Sequence, residues 1–246
     1  MSPTRGPSSR NSRRAILDAA LELFASRGYE ETTIEDVRLA SGASTGSIYH
    51  HFKSKHALAT ALYLEGVEAY QRAFMAVLAA CPDAESGVKA TVRHYLTWTA
   101  QNPKLAHFML TLPESERREI ATVRPDVSWR FVAETGAWRR RYTATGVLRV
   151  MADDLYRAVV IGPAEAYARR WLAGLATTPL EQAIQELAEA AWRAVKAPAP
   201  GIRRRQPEAD MPAPAASSEA LNSTTLDEVS EVAGAAWDVV RLTAEA

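Results

Sequence analysis

The sequence predicts an all-α protein in which an N-terminal three-helix helix-turn-helix domain precedes a larger helical bundle of about nine helices. Apolar residues recur at helical spacing through most of residues 12 to 196. Helix start and stop signals, chiefly Ser, Thr, Gly and Pro, punctuate these stripes. Two short helices joined by a tight turn also stand near the amino terminus, which indicates a helix-turn-helix unit.

The turn unit lies between residues 32 and 55. Thr32 stands three residues before Glu35, a spacing typical of a capping box at a helix start. That helix is expected to end near Ser41, with Gly42 taking a left-handed conformation in the turn. Ser44 is a good N-cap for a second helix over 45 to 52.

The second short helix has two unlike faces. At about 100° per residue, Ile48 and Phe52 fall on one side, which predicts that they are buried. The opposite side is small, polar and free of acidic residues, as a helix entering a major groove about 12 Å wide requires. We expect base contacts from Thr45, Gly46 and His50, backbone contacts from Ser47, Tyr49 and His51, and phosphate contacts from Lys55 and Thr33.

The run ILDAALELFASRGYEETTIEDVRLASGASTGSIYHHFKSKHAL resembles the DNA-binding domain of the tetracycline-repressor (TetR) family of bacterial regulators. The resemblance implies a homodimer that binds a palindromic operator in double-stranded DNA and a second domain that binds a small-molecule effector. It also implies a repressor that the effector releases from DNA. The chain departs from the family pattern at Thr45, where a cation is frequent, and Arg38 is a candidate replacement for that cation.

The same segment also contains residues that could suggest a metal site or a hydrolase motif. His50, His51 and His56 lack a cysteine or carboxylate at ligand spacing, so no metal site is expected. Residues 42 to 46 match the G-x-S-x-G pattern of hydrolases, but that motif needs a preceding strand where a capped helix is predicted. We expect no enzyme activity, no catalytic residues and no cofactor. A helical ligand carrier or a small helical enzyme with a relic helix-turn-helix stays as the alternative.

Composition sets wider limits. The 246 residues are 47% hydrophobic and 24% charged with a formal net charge of zero, as expected of a soluble globular protein. No apolar run of about 20 residues is present, so we expect no membrane span and a cytoplasmic location. The single Cys81 excludes an internal disulfide. Residues 1 to 11 form a basic arm predicted to be disordered, either lying along DNA or simply frayed.

The remaining elements follow in order. The DNA-binding domain is assigned to 12 to 58 and the effector-binding and dimerisation domain to 59 to 196. A helix from Ser12 ends at Gly28. A second is predicted over 56 to 80 with Val77 on its buried side, and a third over 83 to 102. Further helices are predicted from Pro103 after an N-cap at Asn102, over 126 to 145, over 152 to 172 with a kink at Pro163, and after a capping box at Thr178 and Glu181. Arg139, Arg140 and Arg141 are expected to form a solvated stripe.

The last two of these helices carry small residues that would allow close approach between protomers, as in the dimer interface of the family. The same stripes would equally serve to cover the core of a single chain. Trp98, His107, Phe108 and Trp129 are the candidate effector-pocket residues, and effector binding is expected to shift the separation of the two DNA-binding domains. Residues 197 to 223 are predicted to be a disordered linker, and residues 224 to 246 an amphipathic helix.

Overall fold

The computed structural model describes residues 9 to 198, and these contain eleven α-helices and no strand. Three helices form the amino-terminal unit and eight follow it. The helices are α1 Ser9–Arg27, α2 Ile34–Ser41, α3 Thr45–His51, α4 Lys55–Ala79, α5 Ala84–Gln101, α6 Pro103–Thr111, α7 Glu114–Val123, α8 Pro125–Ala144, α9 Asp153–Val160, α10 Gly162–Leu172 and α11 Leu180–Val195.

Helix α1 begins at Ser9, three residues before the expected Ser12, and its carboxyl end is followed by Gly28 at φ +88° as predicted. The N-cap of helix α2 lies one residue later than the expected Thr32. The N-cap is Thr33, whose hydroxyl accepts from the amide of Asp36, while the Asp36 carboxylate accepts from the Thr33 amide. Thr32 is instead fully buried and donates to the carbonyl of Gly28 at 2.8 Å.

The turn between α2 and α3 has the predicted geometry. Gly42 has φ +66° and its amide bonds the Leu39 carbonyl, which closes the end of α2. Ser44 is extended at the start of α3 and its hydroxyl accepts from the amide of Ser47 at 3.1 Å. These two local devices fix the direction of α3 relative to α2.

Helix α4 joins the two halves of the protein. Its first half, including Leu58, Leu62 and Tyr63, is buried in a core shared with α1, α2 and α3. Its second half, including Phe74 and Leu78, is buried in a second core with α5, α8 and α11. Val77, which was expected on this buried stripe, is 38% exposed, and Leu78 takes its place.

Helices α6 and α7 pack on the amino-terminal unit, so its core does not end at residue 58. Phe108 of α6 stacks on Phe24 of α1 with ring centroids 5.3 Å apart. Ile120 of α7 is fully buried in the same cluster. The expected side-chain cap of α6 is absent, because the Asn102 amide group donates to the Trp98 carbonyl at 2.9 Å instead.

The carboxy-terminal helices surround α5. Helix α11 packs along α5, and an ion pair between Lys89 and Glu189 joins the two. The expected capping box at Thr178 and Glu181 is wrong, since α11 begins after Pro179 without a side-chain cap. One helix over 152 to 172 with a kink at Pro163 was predicted, but the structure has two helices. Helix α9 ends at Val160 and α10 begins at Gly162, with Pro163 in its first turn.

The assignment of Arg139 to a solvated stripe is also wrong. Only 14% of its side chain is exposed, whereas Arg140 and Arg141 are exposed as expected. The predicted linker and last helix fall almost wholly outside the described residues, as does the basic arm up to residue 8. No helix in the described part of the chain has the length and hydrophobicity needed to cross a lipid bilayer.

Candidate nucleic-acid interface

Helix α3 is held in place by its two apolar residues. Ile48 is fully buried and Phe52, at the carboxyl end of the helix, is 4% exposed. The guanidinium of Arg13 lies 5.4 Å from the centre of the Phe52 ring. Burying one side of so short a helix leaves the other side at the surface, because α3 has only two turns.

The opposite side of α3 is exposed as the helical wheel predicted. Thr45, Gly46 and His50 all face solvent, and Tyr49 is 46% exposed. His51 is half-buried on the flank, where its ring meets that of His50 edge-on at 5.1 Å. No acidic residue lies on α3 itself. The face therefore offers hydroxyl, imidazole and phenol groups without a charge that would repel phosphate.

Gly46 has no structural role in the free chain. A Cβ at this position would meet nothing within 4 Å, and the residue does not have a positive φ. Glycine in a helix costs stability relative to alanine, by up to about 1 kcal/mol. Its presence here is explained if another molecule approaches the backbone closely at this point.

Ser47 contributes to the packing of α3 as well as to its surface. Its hydroxyl lies 2.8 Å from the hydroxyl of Ser12 on α1, and its side chain is only half-exposed. This bond ties α3 to α1 at the amino-terminal side of the face. Ser47 therefore fixes the position of the helix and has less freedom to bind phosphate than the sequence suggested.

The two candidates from α2 are engaged within that helix. Thr33 caps it, and its hydroxyl also donates to Asp36 at 2.6 Å, which holds the pKa of that carboxyl below its usual range. Arg38 makes a two-pronged ion pair with Glu35 at 2.8 and 2.6 Å, and this lowers the pKa of the Glu35 carboxyl. A phosphate would have to displace Glu35 from Arg38.

Lys55 does not extend toward solvent. Its ammonium donates to the carbonyls of Tyr29 and Glu30 at 2.9 and 3.1 Å and lies 4.3 Å from the centre of the Tyr29 ring. The side chain thus fastens the start of α4 to the loop after α1. The backbone at the first turn of α4 remains the part of Lys55 suited to a phosphate.

Lys53 is a surface cation that the sequence reasoning passed over. It lies between α3 and α4 and is exposed. Its position directly after the buried Phe52 was the available signal.

Two cations of the basic amino-terminal stretch are engaged within the chain. Arg13 and Arg14 both pair with Glu65 of α4, at 3.0 and 3.2 Å.

The three histidines of this region do not converge. His56 turns toward α7, with its Nδ1 2.6 Å from Glu116 and its Nε2 3.5 Å from Glu119. Glu116 also accepts from the Tyr29 hydroxyl, whose pKa is raised well above its usual value, chiefly by burial. Among the residues that the structure describes, no group of three or more His, Cys, Asp or Glu side chains is arranged to hold a metal ion.

The contact of His56 with Glu116 and Glu119 joins the start of α4 to α7. Helix α7 follows α6 directly, and α6 lines a small cavity of about 30 Å³ with Ala106, Met109 and Leu110. The start of α4 directly follows α3 in the chain.

The four effector-pocket candidates are not brought together. Trp98 lines the small cavity between α4, α5 and α6. Phe108 is core, 1% exposed against Phe24. His107 is half-buried on α6 and does not line this cavity. Trp129 is 64% exposed on α8. A second apolar space, of about 110 Å³, lies between α4, α5, α8 and α9 and is walled in part by Trp138.

The fold and this face define a helix-turn-helix protein with a helical second domain. Residues 16 to 62 match the family described as bacterial regulatory proteins, tetR family. This match runs from α1 into α4 and covers about a fifth of the chain.

Relatives of known name agree over the same segment. The HTH-type transcriptional repressor Rv1474c of Mycobacterium tuberculosis is 46% identical over 56 residues, 23% of this chain and 30% of that protein. The HTH-type transcriptional repressor AcnR of Corynebacterium glutamicum is 43% identical over 65 residues, 26% of this chain and 35% of that protein. These matches span about a third of each relative and leave the second domains unmatched.

The whole fold is nevertheless shared with solved structures. A TetR family transcription regulator from Marinobacter aquaeolei VT8 superposes with a TM-score of 0.62 at 18% identity, covering 76% of this chain and 96% of that one. At this identity the likeness concerns the fold alone. The second domain therefore shares its helical architecture with that structure.

Proposed function

We propose that the chain is a DNA-binding transcriptional regulator, most simply a repressor, that binds a palindromic operator as a homodimer and is released by a small-molecule effector. On this proposal it has no enzymatic role and works in the bacterial cytoplasm, where its operator lies. The observation that carries the proposal is the exposed, acid-free face of α3, which is supported from behind by Ile48 and Phe52.

The geometry of this face favours DNA over a generic partner. Its members are small or have hydrogen-bonding tips, as base edges in a major groove require. Gly46 adds an independent indication, because its missing side chain matters only to something outside the chain. Thr45, Gly46 and His50 are the proposed base contacts, with Tyr49, His51 and Lys53 beside them for the backbone.

The small size of α3, the helix proposed to contact the bases, favours a dimer. A single α3 of seven residues covers only a few base pairs, whereas a two-fold axis places two copies on one face of the duplex. The apolar stripe of α11, including Ile184 and Val195, is buried within the chain and so covers its own core. The proposed interface is therefore the other side of the α10 and α11 pair, where Ala166 and Ala190 are exposed.

Effector release is proposed as a population shift. A ligand between the helices of the second domain would favour one arrangement of α4, whose amino-terminal end follows α3. The DNA-binding faces of the two protomers would then no longer match two half-sites.

Selection of bound sequences from a random DNA pool with the full chain tests the function. We expect an enriched palindrome whose half-sites are about 10 base pairs apart or a multiple of that spacing. The logarithm of affinity should fall with the logarithm of salt concentration at a slope of several units, since about 0.9 counterions are released per phosphate contact.

A matched pair of variants sharpens the test. His50→Ala should relax the preference at one position of each half-site, while Arg140→Ala, a change on the distant exposed face of α8, should leave the selected sequence unchanged. Binding that shows no enriched sequence above the random pool would refute the proposal.

A further inference from the structure

The apolar cavity between α4, α5, α8 and α9 has one charged end. Its volume is about 110 Å³. Phe74 and Leu78 of α4, Phe131 and Trp138 of α8, and Val160 of α9 supply most of its apolar wall. Arg139, Asp153 and Arg157 stand at the remaining side, so two cations and one anion face the cavity.

Arg139 is held firmly at this end. It donates to the carbonyl of Met151 at 2.9 Å, and its guanidinium lies 5.0 Å from the centre of the Tyr156 ring. It also pairs with Asp153, whose side chain is 68% exposed, whereas only 14% of the Arg139 side chain is exposed. The cation is therefore fixed and mostly buried, and its carboxylate partner lies at the solvent side.

This arrangement suits the exchange of one carboxylate for another. A guanidinium presents its donors in a planar fork that matches a carboxylate. Asp153 can turn into water when it leaves, because it is already exposed. Burial raises the pKa of Tyr156 to about 12, so its phenol stays protonated at neutral pH beside the guanidinium.

The size of the cavity limits the apolar part of a ligand. An engineered cavity of about 150 Å³ lined by apolar side chains binds benzene. A space of about 110 Å³ flanked by two phenylalanines and a tryptophan is of the same order of size, which limits the apolar part of a ligand to a single ring. Aromatic walls favour an aromatic ring, because tilted and offset ring contacts add to the burial of its surface.

We propose that this cavity binds a small aromatic monocarboxylate of about the size of benzoate, with its ring against Phe74, Phe131 and Trp138 and its carboxylate on Arg139 in place of Asp153. The inference deepens the proposed function, on which its regulatory meaning rests, by naming the class of effector. Phe74 and Leu78 belong to α4, so the ring would press on the helix that follows α3.

Calorimetric titration of the full chain with three single-ring probes tests the site. Benzoate, benzyl alcohol and benzylamine share a ring and differ in charge. We expect benzoate to bind about tenfold or more tightly than benzyl alcohol, the usual gain from a charged hydrogen bond, and benzylamine not to bind measurably. Equal binding of acid and alcohol, or no binding of benzoate, would overturn the proposal.

Substitutions at the two residues of the ion pair should change benzoate affinity in opposite directions. Asp153→Asn removes the competing carboxylate and should tighten benzoate binding several-fold, whereas Arg139→Met should abolish it. Arg140→Met, one residue further along α8 and exposed, is the control and should bind as the parent does. If Arg139→Met does not fold, Asp153→Asn decides the matter, because weaker benzoate binding in that variant contradicts the exchange.

A DNA measurement separates this inference from the proposed function. Operator affinity without benzoate tests the function alone. Added benzoate should lower that affinity about tenfold or more in the parent chain, the range of ordinary allosteric coupling. Benzoate that binds but leaves operator affinity unchanged overturns its assignment as effector, while failure to bind any operator refutes the function and leaves the calorimetric result standing.

Discussion

Gly46 shows how a single side chain that is missing can indicate a binding surface. Replacing it with alanine adds a Cβ that meets nothing in the free chain, and alanine is the better helix former. We therefore expect Gly46→Ala to raise the free energy of unfolding by a few tenths of a kcal/mol to about 1 kcal/mol. Operator affinity should fall about tenfold or more, because the added methyl group would occupy space needed by DNA.

Chemical denaturation and DNA titration on the same preparation check the expected gain in stability and the expected loss of operator affinity. A variant that gains stability and binds its operator unchanged would show that DNA does not approach this part of α3. A loss of stability would show instead that the residue has a packing role within the chain.

Lys53 and Lys55 are two residues apart and have different expected roles, one in DNA binding and the other in stability. Lys55 bonds two backbone carbonyls, so Lys55→Met should cost about 1 to 3 kcal/mol of stability. Lys53 is exposed, so Lys53→Met should leave stability unchanged and weaken all DNA sequences alike. The salt slope should fall by about one for each protomer. Denaturation curves and salt-dependent DNA titrations of both variants check this, and the reverse pattern would contradict it.

For single residues, the sequence predicts which positions are important more reliably than it predicts their hydrogen-bond partners. Two capping boxes overlap at the start of α2, Thr32 with Glu35 and Thr33 with Asp36, and both fit the spacing rule. Tertiary packing decides between them, because Thr32 is buried under α1. Lys55 and Arg139 were likewise expected in solvent, and both find carbonyl partners through contacts distant in sequence.

At the level of the helix, signals that depend on neighbouring residues were reliable. The turn at Gly42 and the cap at Ser44 occur as predicted, and Pro163 interrupts the helical run more completely than the predicted kink. These features are local, so a few residues contain the whole physical cause. The cap predicted at Asn102 fails because its side-chain amide donates to the Trp98 carbonyl. The one predicted at Thr178 fails because α11 begins after Pro179 without a side-chain cap.

The contact between α5 and Trp138 of α8 depends on one glycine. A Cβ on Gly87 would overlap the Trp138 ring, so Gly87→Ala must displace that ring. We expect a loss of about 1 to 3 kcal/mol, typical of overpacking, together with an altered cavity beside Trp138. Thermal unfolding and tryptophan fluorescence measure the two effects.

Gly136 on α8 is the matched control. Its added Cβ would meet only the flexible end of Arg140, at 2.9 Å, which can move into solvent. Gly136→Ala should therefore be neutral or stabilise the helix by up to about 1 kcal/mol. Equal effects of the two substitutions would show that the contact between Gly87 and Trp138 does not limit the approach of the helices.

The molecule as a whole has two cores joined along α4, and this arrangement was only partly predictable. The first half of the helix lies in one core and the second half in the other. The packing of α6 against α1 was not expected, since Phe24 and Phe108 are 84 positions apart and no local pattern links them. The cavity is equally non-local, which is why Trp138 was not selected among the pocket candidates.

Assembly is the property of the whole molecule that the proposed function needs most. Ala166 on α10 is exposed, as are Ala158 and Leu155 on α9, so both helices present small or apolar side chains to solvent. Ala166→Arg would place a long cation between protomers without disturbing the fold of either, because the side chain points to solvent in the single chain. We expect the variant to unfold like the parent but to sediment as a monomer.

Operator binding by Ala166→Arg should fall about a hundredfold or more, since one α3 then binds without the contribution of the second. Ala133→Arg adds the same charge to an exposed position of α8 and should neither dissociate the dimer nor weaken DNA binding. Sedimentation velocity and DNA titration decide the point. A dimer that survives Ala166→Arg would place the two-fold axis on another surface, and the half-site spacing would then have to be explained from that surface.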